Sequence, residues 1–329
     1  MKALVVSQPG GDFEVHSVPT PEPEPGNVLV RIQASCINPL DTKIRAGAAA
    51  HAKQPLPAVL GLDMAGVVER VGKGVLDYSV GDEVFGMVGG VGGHQGTLAE
   101  YISVPAVLLA HKPRMLSMHQ ASALPLVTIT AWEGLIDRAK VHAGQTVLVH
   151  AGAGGVGHIV VQLARAQGSE VFATVSPEKQ DVVVRLGATP IDYRSNSVEQ
   201  YVQKYTNGAG FDIVYDTVGG STLDASFHAA KTYAGHVVSC LGWGSHSLAP
   251  LSFRAASYSG VFTLLPLLTG RGQEQHGQIL RNAAALADAG KLIPMLASEV
   301  FTPERTAAAF DLVAAGTIGK VVVDVSRLH

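Results

Sequence analysis

Thr146-Val147-Leu148-Val149-His150-Ala151-Gly152-Ala153-Gly154-Gly155-Val156-Gly157 is the stretch whose reading decides the fold. An apolar, β-branched strand runs into a glycine turn and then into a helix. Gly152, Gly154 and Gly157 stand at G-x-G-x-x-G spacing. A turn of this kind lets backbone approach a pyrophosphate, whose charge meets the amides at the helix N-terminus. The context supports that reading: Val156, Ile159, Val160, Leu163 and Ala164 form a helical apolar stripe that ends at Gly168. The alternative is a purely structural glycine turn. Gly152, Gly154, Gly155, Val156 and Gly157 are therefore candidate dinucleotide contacts.

Outward from this turn, residues 170–175, 191–193, 211–218 and 236–241 read as strands. Residues 178–186, 197–205 and 221–231 read as helices between them. Such alternation predicts a parallel sheet covered on both faces, with ligands at the carboxyl ends of its strands. Thr217, Val218, Cys240, Leu241 and Gly242 follow two of those ends and should border a bound cofactor. The first 120 or so residues are different. Strands at 28–34, 65–71, 82–87 and 98–104, separated by Gly and Pro, predict a compact β-rich domain. The run Pro19-Thr20-Pro21-Glu22-Pro23-Glu24-Pro25-Gly26 reads as a stiff loop between early strands, with an interdomain linker as the alternative. After residue 270 come helices near 275–289 and 303–315 and a final strand at 320–325, read as a return to the first domain. The expected domains are 1–121, 122–269 and 270–329.

Bulk properties exclude several classes. The 329 residues are 47% hydrophobic and 16% charged, which suits a globular two-domain chain. A formal charge of -3 gives no reason to expect nucleic acid or an anionic membrane as partner. No apolar run reaches roughly 18 residues, so no membrane span is expected. The two cysteines, Cys36 and Cys240, provide no disulfide framework, which points to the reducing cytoplasm.

The cofactor can be narrowed further. An NAD site carries an acid about 20 residues past the first glycine, on the ribose hydroxyls. Here Ser176 ends that strand, and Lys179 follows. A hydroxyl and an ammonium suit a 2′-phosphate, so NADPH is expected. Glu178 lies between them and, on a helix, is expected to point elsewhere. Thr174, on the same strand, joins the candidate contacts.

With these features in hand, the chain resembles the medium-chain dehydrogenase/reductase superfamily, and within it the zinc-lacking quinone oxidoreductases. The resemblance rests on Asn38-Pro39-Leu40-Asp41-Thr42-Lys43-Ile44-Arg45-Ala46-Gly47, Leu60-Gly61-Leu62-Asp63-Met64-Ala65-Gly66 and Val80-Gly81-Asp82-Glu83-Val84. Gly96-Thr97-Leu98-Ala99-Glu100-Tyr101, Leu124-Pro125 through Thr130-Ala131, and residues 211–220 extend it. It implies a GroES-like β-barrel catalytic domain plus a Rossmann domain, an α/β protein with its active site between the two. It also implies a homodimer paired through a Rossmann edge strand. Zinc-dependent relatives hold the metal with an early Cys and a Gly-His-Glu triplet. Asn38 and Gly61-Leu62-Asp63 stand at those places here, so no metal is expected.

Without a Lewis acid, the expected acceptor of hydride is already electron-poor: a quinone or an α,β-unsaturated carbonyl. Asn38 is the first candidate to donate to the substrate oxygen or nicotinamide ribose, with a plain turn residue as alternative. Asp41 either orients Lys43 or Arg45 or caps a short helix. Tyr258 is the candidate proton donor, with solvent as the alternative. By resemblance, Thr130 reaches the nicotinamide carboxamide, Tyr193 touches the adenosine phosphate and Phe262, at the end of the last Rossmann strand, lies along the nicotinamide. Lys320 stands near the place where relatives carry an Arg on the 2′-phosphate. The glycine-rich loop Met87-Val88-Gly89-Gly90-Val91-Gly92-Gly93-His94-Gln95-Gly96 is expected to order only on substrate binding. Two other readings stay open: an enoyl-thioester or conjugated-acid reductase, and a non-catalytic NADPH-binding sensor or RNA-associated protein.

Overall fold

The computed structural model describes residues 1–328 and divides them into two compact units. One unit comprises 1–126 and 264–329, the other 127–263.

In the second unit six strands form one parallel sheet. Across the sheet they run Thr189–Asp192, Glu170–Val175, Thr146–Val149, Ile213–Asp216, His236–Ser239 and Ser257–Gly260. Numbered by sequence within this unit, the order is 3-2-1-4-5-6, the doubly wound order of dinucleotide-binding sheets. The chain reverses direction across the sheet between Thr146–Val149 and Ile213–Asp216, which opens a crevice at their carboxyl ends. Apolar side chains hold the layers together: Leu148, Phe172, Ile191, Phe211, Val214 and Phe227 are all buried in one cluster. Each contributes on the order of 1.5–3 kcal/mol by leaving water. Phe172 and Phe211 pack with tilted rings 5.4 Å apart.

One helix of this unit begins on a side-chain cap. Ser197 accepts the Gln200 amide and the Gln200 side chain accepts the Ser197 amide, a reciprocal box that starts Val198–Thr206. The expected helix over 178–186 is split into a short 3-10 turn, Pro177–Lys179, and the α-helix Gln180–Arg185. The strand expected over 211–218 is only Ile213–Asp216. The last strand ends at Gly260, so Phe262 lies beyond the strand end expected for it, edge-on to Trp243 at 5.9 Å.

The first unit is built on the eleven-residue strand Asn27–Ile37. Asp63–Val71 and Lys320–Asp324 flank it, both antiparallel, and Tyr101–Pro105 pairs with its first half. Glu83–Met87, Leu109–His111 and Leu296–Phe301 complete a seven-stranded sheet. A separate three-stranded sheet joins Glu14–Ser17, Lys2–Val6 and Ala58–Val59. Register here determines chemistry. Ile37 pairs with Val321 and Cys36 with Asp63, so Asn38, Lys320 and Asp63 meet at one end of the sheet.

The glycine-rich loop departs from expectation. Val88 N–H donates to Leu62, Gly92 N–H to Ala52 and Gly96 N–H to Val59. Gly93 N–H donates to Gln54 Oε1 at 2.9 Å, and Gln54 Nε2 returns to the His94 carbonyl at 3.3 Å. These bonds tie the loop to the neighbouring backbone. Its glycines serve close packing: a Cβ on Gly89 would sit 1.9 Å from the Gln95 carbonyl oxygen.

Candidate functional site

A cavity of about 720 Å³ opens at the crevice of the parallel sheet. Gly154, Thr174, Ser176, Lys179, Tyr193 and Val218, all read from the sequence, line it together. The glycine turn forms one wall. Its left-handed residue is Ala151, with φ 54°, and none of the three motif glycines has a positive φ. Two glycines are needed for close approach instead. A Cβ on Gly152 would fall 2.5 Å from that of Ala173, and one on Gly157 2.2 Å from the Ala151 carbonyl oxygen. These contacts bring the helix Gly157–Ala166 tight against the sheet. At Gly154 a Cβ would meet only the Ala151 oxygen, at 3.1 Å. Backbone there lies bare toward the cavity, as a pyrophosphate needs.

Hydroxyls and a carboxylate fix the strand ends. Thr174 Oγ1 accepts the Ala151 amide at 3.1 Å and lies 3.2 Å from His150 Nδ1. Thr217 donates to the His150 carbonyl at 2.7 Å. Asp216, which sequence reading passed over, is fully buried and accepts from Val218, Gly219 and the Ser239 hydroxyl. It holds the turn that carries Thr217 and Val218. The signal was available: an acid closing an apolar strand before Thr-Val-Gly-Gly.

His150 is a second residue missed. It lines the cavity, and its buried Nε2 has no partner. Burial pulls its pKa down to about 4 against the opposing field of Asp216, so the ring is neutral near pH 7. Nδ1 is engaged with the Thr174 hydroxyl, which leaves Nε2 as an unmade hydrogen bond. An orphaned ring nitrogen beside a bare backbone turn fits a phosphate- and ribose-bearing cofactor.

Thr130 is buried, with its hydroxyl 2.8 Å from that of Thr263. The Tyr215 hydroxyl donates to the Thr130 carbonyl at 2.6 Å. After Trp132 the helix widens into a π-helical turn, Glu133–Arg138, in which Gly134 makes room for the Tyr215 ring. Cys240 and Leu241 follow the strand His236–Ser239 as expected. The Cys240 thiol is pushed up to about 12 by burial, so it stays protonated. Tyr258 packs edge-on against Phe227 at 5.9 Å with its hydroxyl close to Gly242. Burial raises its pKa, the wrong direction for a proton donor at neutral pH.

In the first unit the structure corrects two expectations. The Asn38 amide is no free donor. Its Nδ2 donates to Asp63 Oδ2 at 2.9 Å and the Cys36 carbonyl at 3.4 Å, and its Oδ1 accepts from Lys320. Asn38 is fully buried, and these groups take both of its amide hydrogens and one lone pair of Oδ1. Lys320 is buried too, with its ammonium on Asn38, rather than presented to a 2′-phosphate. Asp41 resolves to the capping alternative: its carboxylate accepts the Asn38 amide at 2.8 Å at the start of the helix Pro39–Arg45. Arg45 instead lies 4.9 Å from the ring of Phe13. Burial raises Asp41 to about 7 and Asp63 to about 6. Cys36 packs with Ala34, Ala123 and Val322, its thiol raised to about 12 by the same burial. Leu62 is aliphatic and fully buried at the place of a ligand in zinc-binding relatives. Among the described residues no three His, Cys, Asp or Glu side chains converge as a metal site.

Glu178 lies on a 3-10 turn rather than on the expected helix, outside the residues that line the cavity, and Arg194 Nη1 donates to its Oε1 at 2.8 Å. Its pKa is held down at about 2, first by the Ser176 hydroxyl and then by its own backbone amide and Arg194.

Residues 24–114 match the alcohol dehydrogenase GroES-like domain family, and 186–323 the family described as zinc-binding dehydrogenase. The NADPH-dependent alkenal/one oxidoreductase, chloroplastic, of Arabidopsis thaliana is 36% identical, over 98% of this chain and 79% of that protein. The structure superposes on an alcohol dehydrogenase superfamily protein from Novosphingobium aromaticivorans with a TM-score of 0.97. The two share 54% identity over 98% of this chain and 99% of that one. The quinone oxidoreductase from Coxiella burnetii gives a TM-score of 0.82 at 28% identity, over 98% and 99% of the two chains. A dinucleotide crevice on a doubly wound sheet and a GroES-like domain define a nucleotide-dependent oxidoreductase. The chain belongs to the medium-chain dehydrogenase/reductase superfamily.

Proposed function

We propose that this chain is an NADPH-dependent oxidoreductase that passes hydride to a quinone or an α,β-unsaturated carbonyl without a metal. One observation carries the cofactor: the 720 Å³ cavity at the sheet crevice, where the bare turn at Gly154 faces Ser176 and Lys179. In this reading the turn and His150 Nε2 hold the phosphates and ribose. Ser176, Lys179 and Tyr193 hold the adenosine end. Thr130 and Thr263, coupled hydroxyl to hydroxyl, orient the carboxamide end. When bound, NADPH supplies the hydride. The acceptor class follows from the residues that the family resemblance sets at the ligand places: Asn38, whose amide hydrogens are both taken by Asp63 and the Cys36 carbonyl, and the aliphatic Leu62. Neither polarises a carbonyl, so conjugation within the acceptor must supply the activation. The alkenal/one and quinone oxidoreductase relatives support this class over an RNA-associated or sensor role.

The strand Ser257–Gly260 is an open edge of the parallel sheet, and Trp243, Phe253 and Tyr258 near it are exposed. We read this edge as the surface on which a second copy pairs. No helix is long and apolar enough to cross a membrane among the described residues. The two unpaired thiols fit a reducing compartment such as the cytoplasm.

Fluorescence titration of the purified chain with NADPH and NADH tests the cofactor assignment. Tighter NADPH binding is expected; equal or tighter NADH binding refutes it.

A further inference from the structure

We infer that Glu178 occupies the place of the cofactor's 2′-phosphate in the free protein, and that Arg194 is a further cation released to that phosphate on binding. This rests on the NADPH reading above and adds to it a built-in competitor and a fourth donor.

Topology brings the groups together. Glu170–Val175 and Thr189–Asp192 are parallel neighbours, and Val175 pairs with Asp192. Ser176 and Tyr193, the next residue on each chain, therefore leave the sheet side by side, and both line the cavity. Each chain then turns. Ser176 precedes the 3-10 turn Pro177–Lys179, which carries Glu178 and Lys179. On the other side Asp192 accepts the Arg194 amide at 2.9 Å and the Ser195 hydroxyl at 2.6 Å. That clamp aims the Arg194 side chain back past the Tyr193 ring, with Cζ 5.9 Å from its centroid, and onto Glu178.

The groups around Glu178 are those a phosphate monoester takes: the Arg194 guanidinium on its carboxylate, with the Ser176 hydroxyl and Lys179 adjacent in the chain. The carboxylate is singly charged and the ion pair is exposed, 64% at Glu178 and 55% at Arg194. A pair in that setting is weak and easily exchanged. A 2′-phosphate carries up to two charges and three acceptor oxygens, so it outcompetes the carboxylate for Arg194. Glu178 then stays nearby as a like charge, which weakens the phosphate's net affinity. The acid is thus a specificity residue: it keeps Arg194 arranged in the free chain and weakens phosphate binding in return.

Binding of adenosine 2′,5′-bisphosphate and of adenosine 5′-monophosphate to the full chain, by calorimetry at fixed salt, tests this. The wild-type chain should prefer the bisphosphate. Glu178→Gln should tighten the bisphosphate roughly three- to tenfold and leave the monophosphate unchanged. Arg194→Gln should weaken the bisphosphate by about tenfold, again with the monophosphate unchanged. A wild-type chain with no preference overturns the NADPH reading and the inference with it. A wild-type preference that Glu178→Gln fails to increase, or that Arg194→Gln leaves intact, overturns the inference alone.

Discussion

At the scale of single residues, function depends on which polar groups have partners. Lys179 lines the cavity beside Ser176, and its ammonium is the charge we assign to the cofactor's 2′-phosphate. Lys179→Ala should weaken NADPH by about 1–3 kcal/mol, roughly ten- to hundredfold, with NADH nearly unchanged. Parallel fluorescence titrations check this; an equal loss for both cofactors contradicts it. Ser176 and Lys179 were legible in the sequence because they stand where an acid would otherwise be needed. Glu178 sits on the 3-10 turn Pro177–Lys179 and not on the helix expected for it, because the α-helix starts only at Gln180. His150 was invisible for another reason. A histidine after an apolar strand reads as core, and only the neighbours Thr174 and Asp216 show that its Nε2 is left over. Asn38 takes its partners, Asp63 and Lys320, from strands far away in sequence. No local pattern could show that its amide is already spent.

At the scale of elements, the helix that carries Thr130 is shaped by one glycine. A Cβ on Gly134 would lie 2.5 Å from the Tyr215 hydroxyl and 2.6 Å from its ring. Gly134→Ala therefore forces either the π-turn or the tyrosine to move, and the Tyr215–Thr130 bond with it. A loss of about 2–4 kcal/mol is expected from urea unfolding. Tyr215→Phe, which keeps the ring and deletes the hydroxyl, should cost only about 1–2 kcal/mol. A neutral Gly134→Ala would contradict this packing account. The existence and order of the Rossmann elements could be read from the sequence, since strand and helix periodicities differ so clearly there. Their ends could not. Phe211, Thr217 and Val218 continue the apolar or β-branched pattern, yet only Ile213–Asp216 pair within the sheet, and Phe211 makes an isolated bridge to Ala230. The π-turn had no sequence signal beyond Gly134. The loop 88–96 was misjudged because glycine content alone signals entropy, whereas its amides are taken up by Leu62, Ala52 and Val59.

For the whole molecule, buried charge sets a pH dependence. Asp41 is raised by burial to about 7, far above its value in an unfolded chain. The folded state then holds a proton that the unfolded chain gives up first. Its contribution is full below about pH 4 and is lost as pH rises to about 7, by on the order of a few kcal/mol. His150 acts in the opposite direction: its pKa is lowered to about 4, so stability falls as pH drops below about 6.5. Comparing Asp41→Asn with wild type separates the two. Urea midpoints from pH 5 to 8 should show wild type losing stability relative to Asp41→Asn as pH rises. Parallel curves would mean that Asp41 titrates normally. The two-unit architecture was readable from the change at residue 121 to alternating helices and strands, and the last strand pairs with Asn27–Ile37. The central claim is that hydride moves only to acceptors activated by their own conjugation. Its most direct test is the rate of NADPH consumption with an enone or quinone against the matching saturated ketone. The account predicts steady turnover with the conjugated acceptor, at least about a hundredfold faster than with the saturated one. Equal rates on both, or no NADPH consumption with any conjugated acceptor, would contradict it.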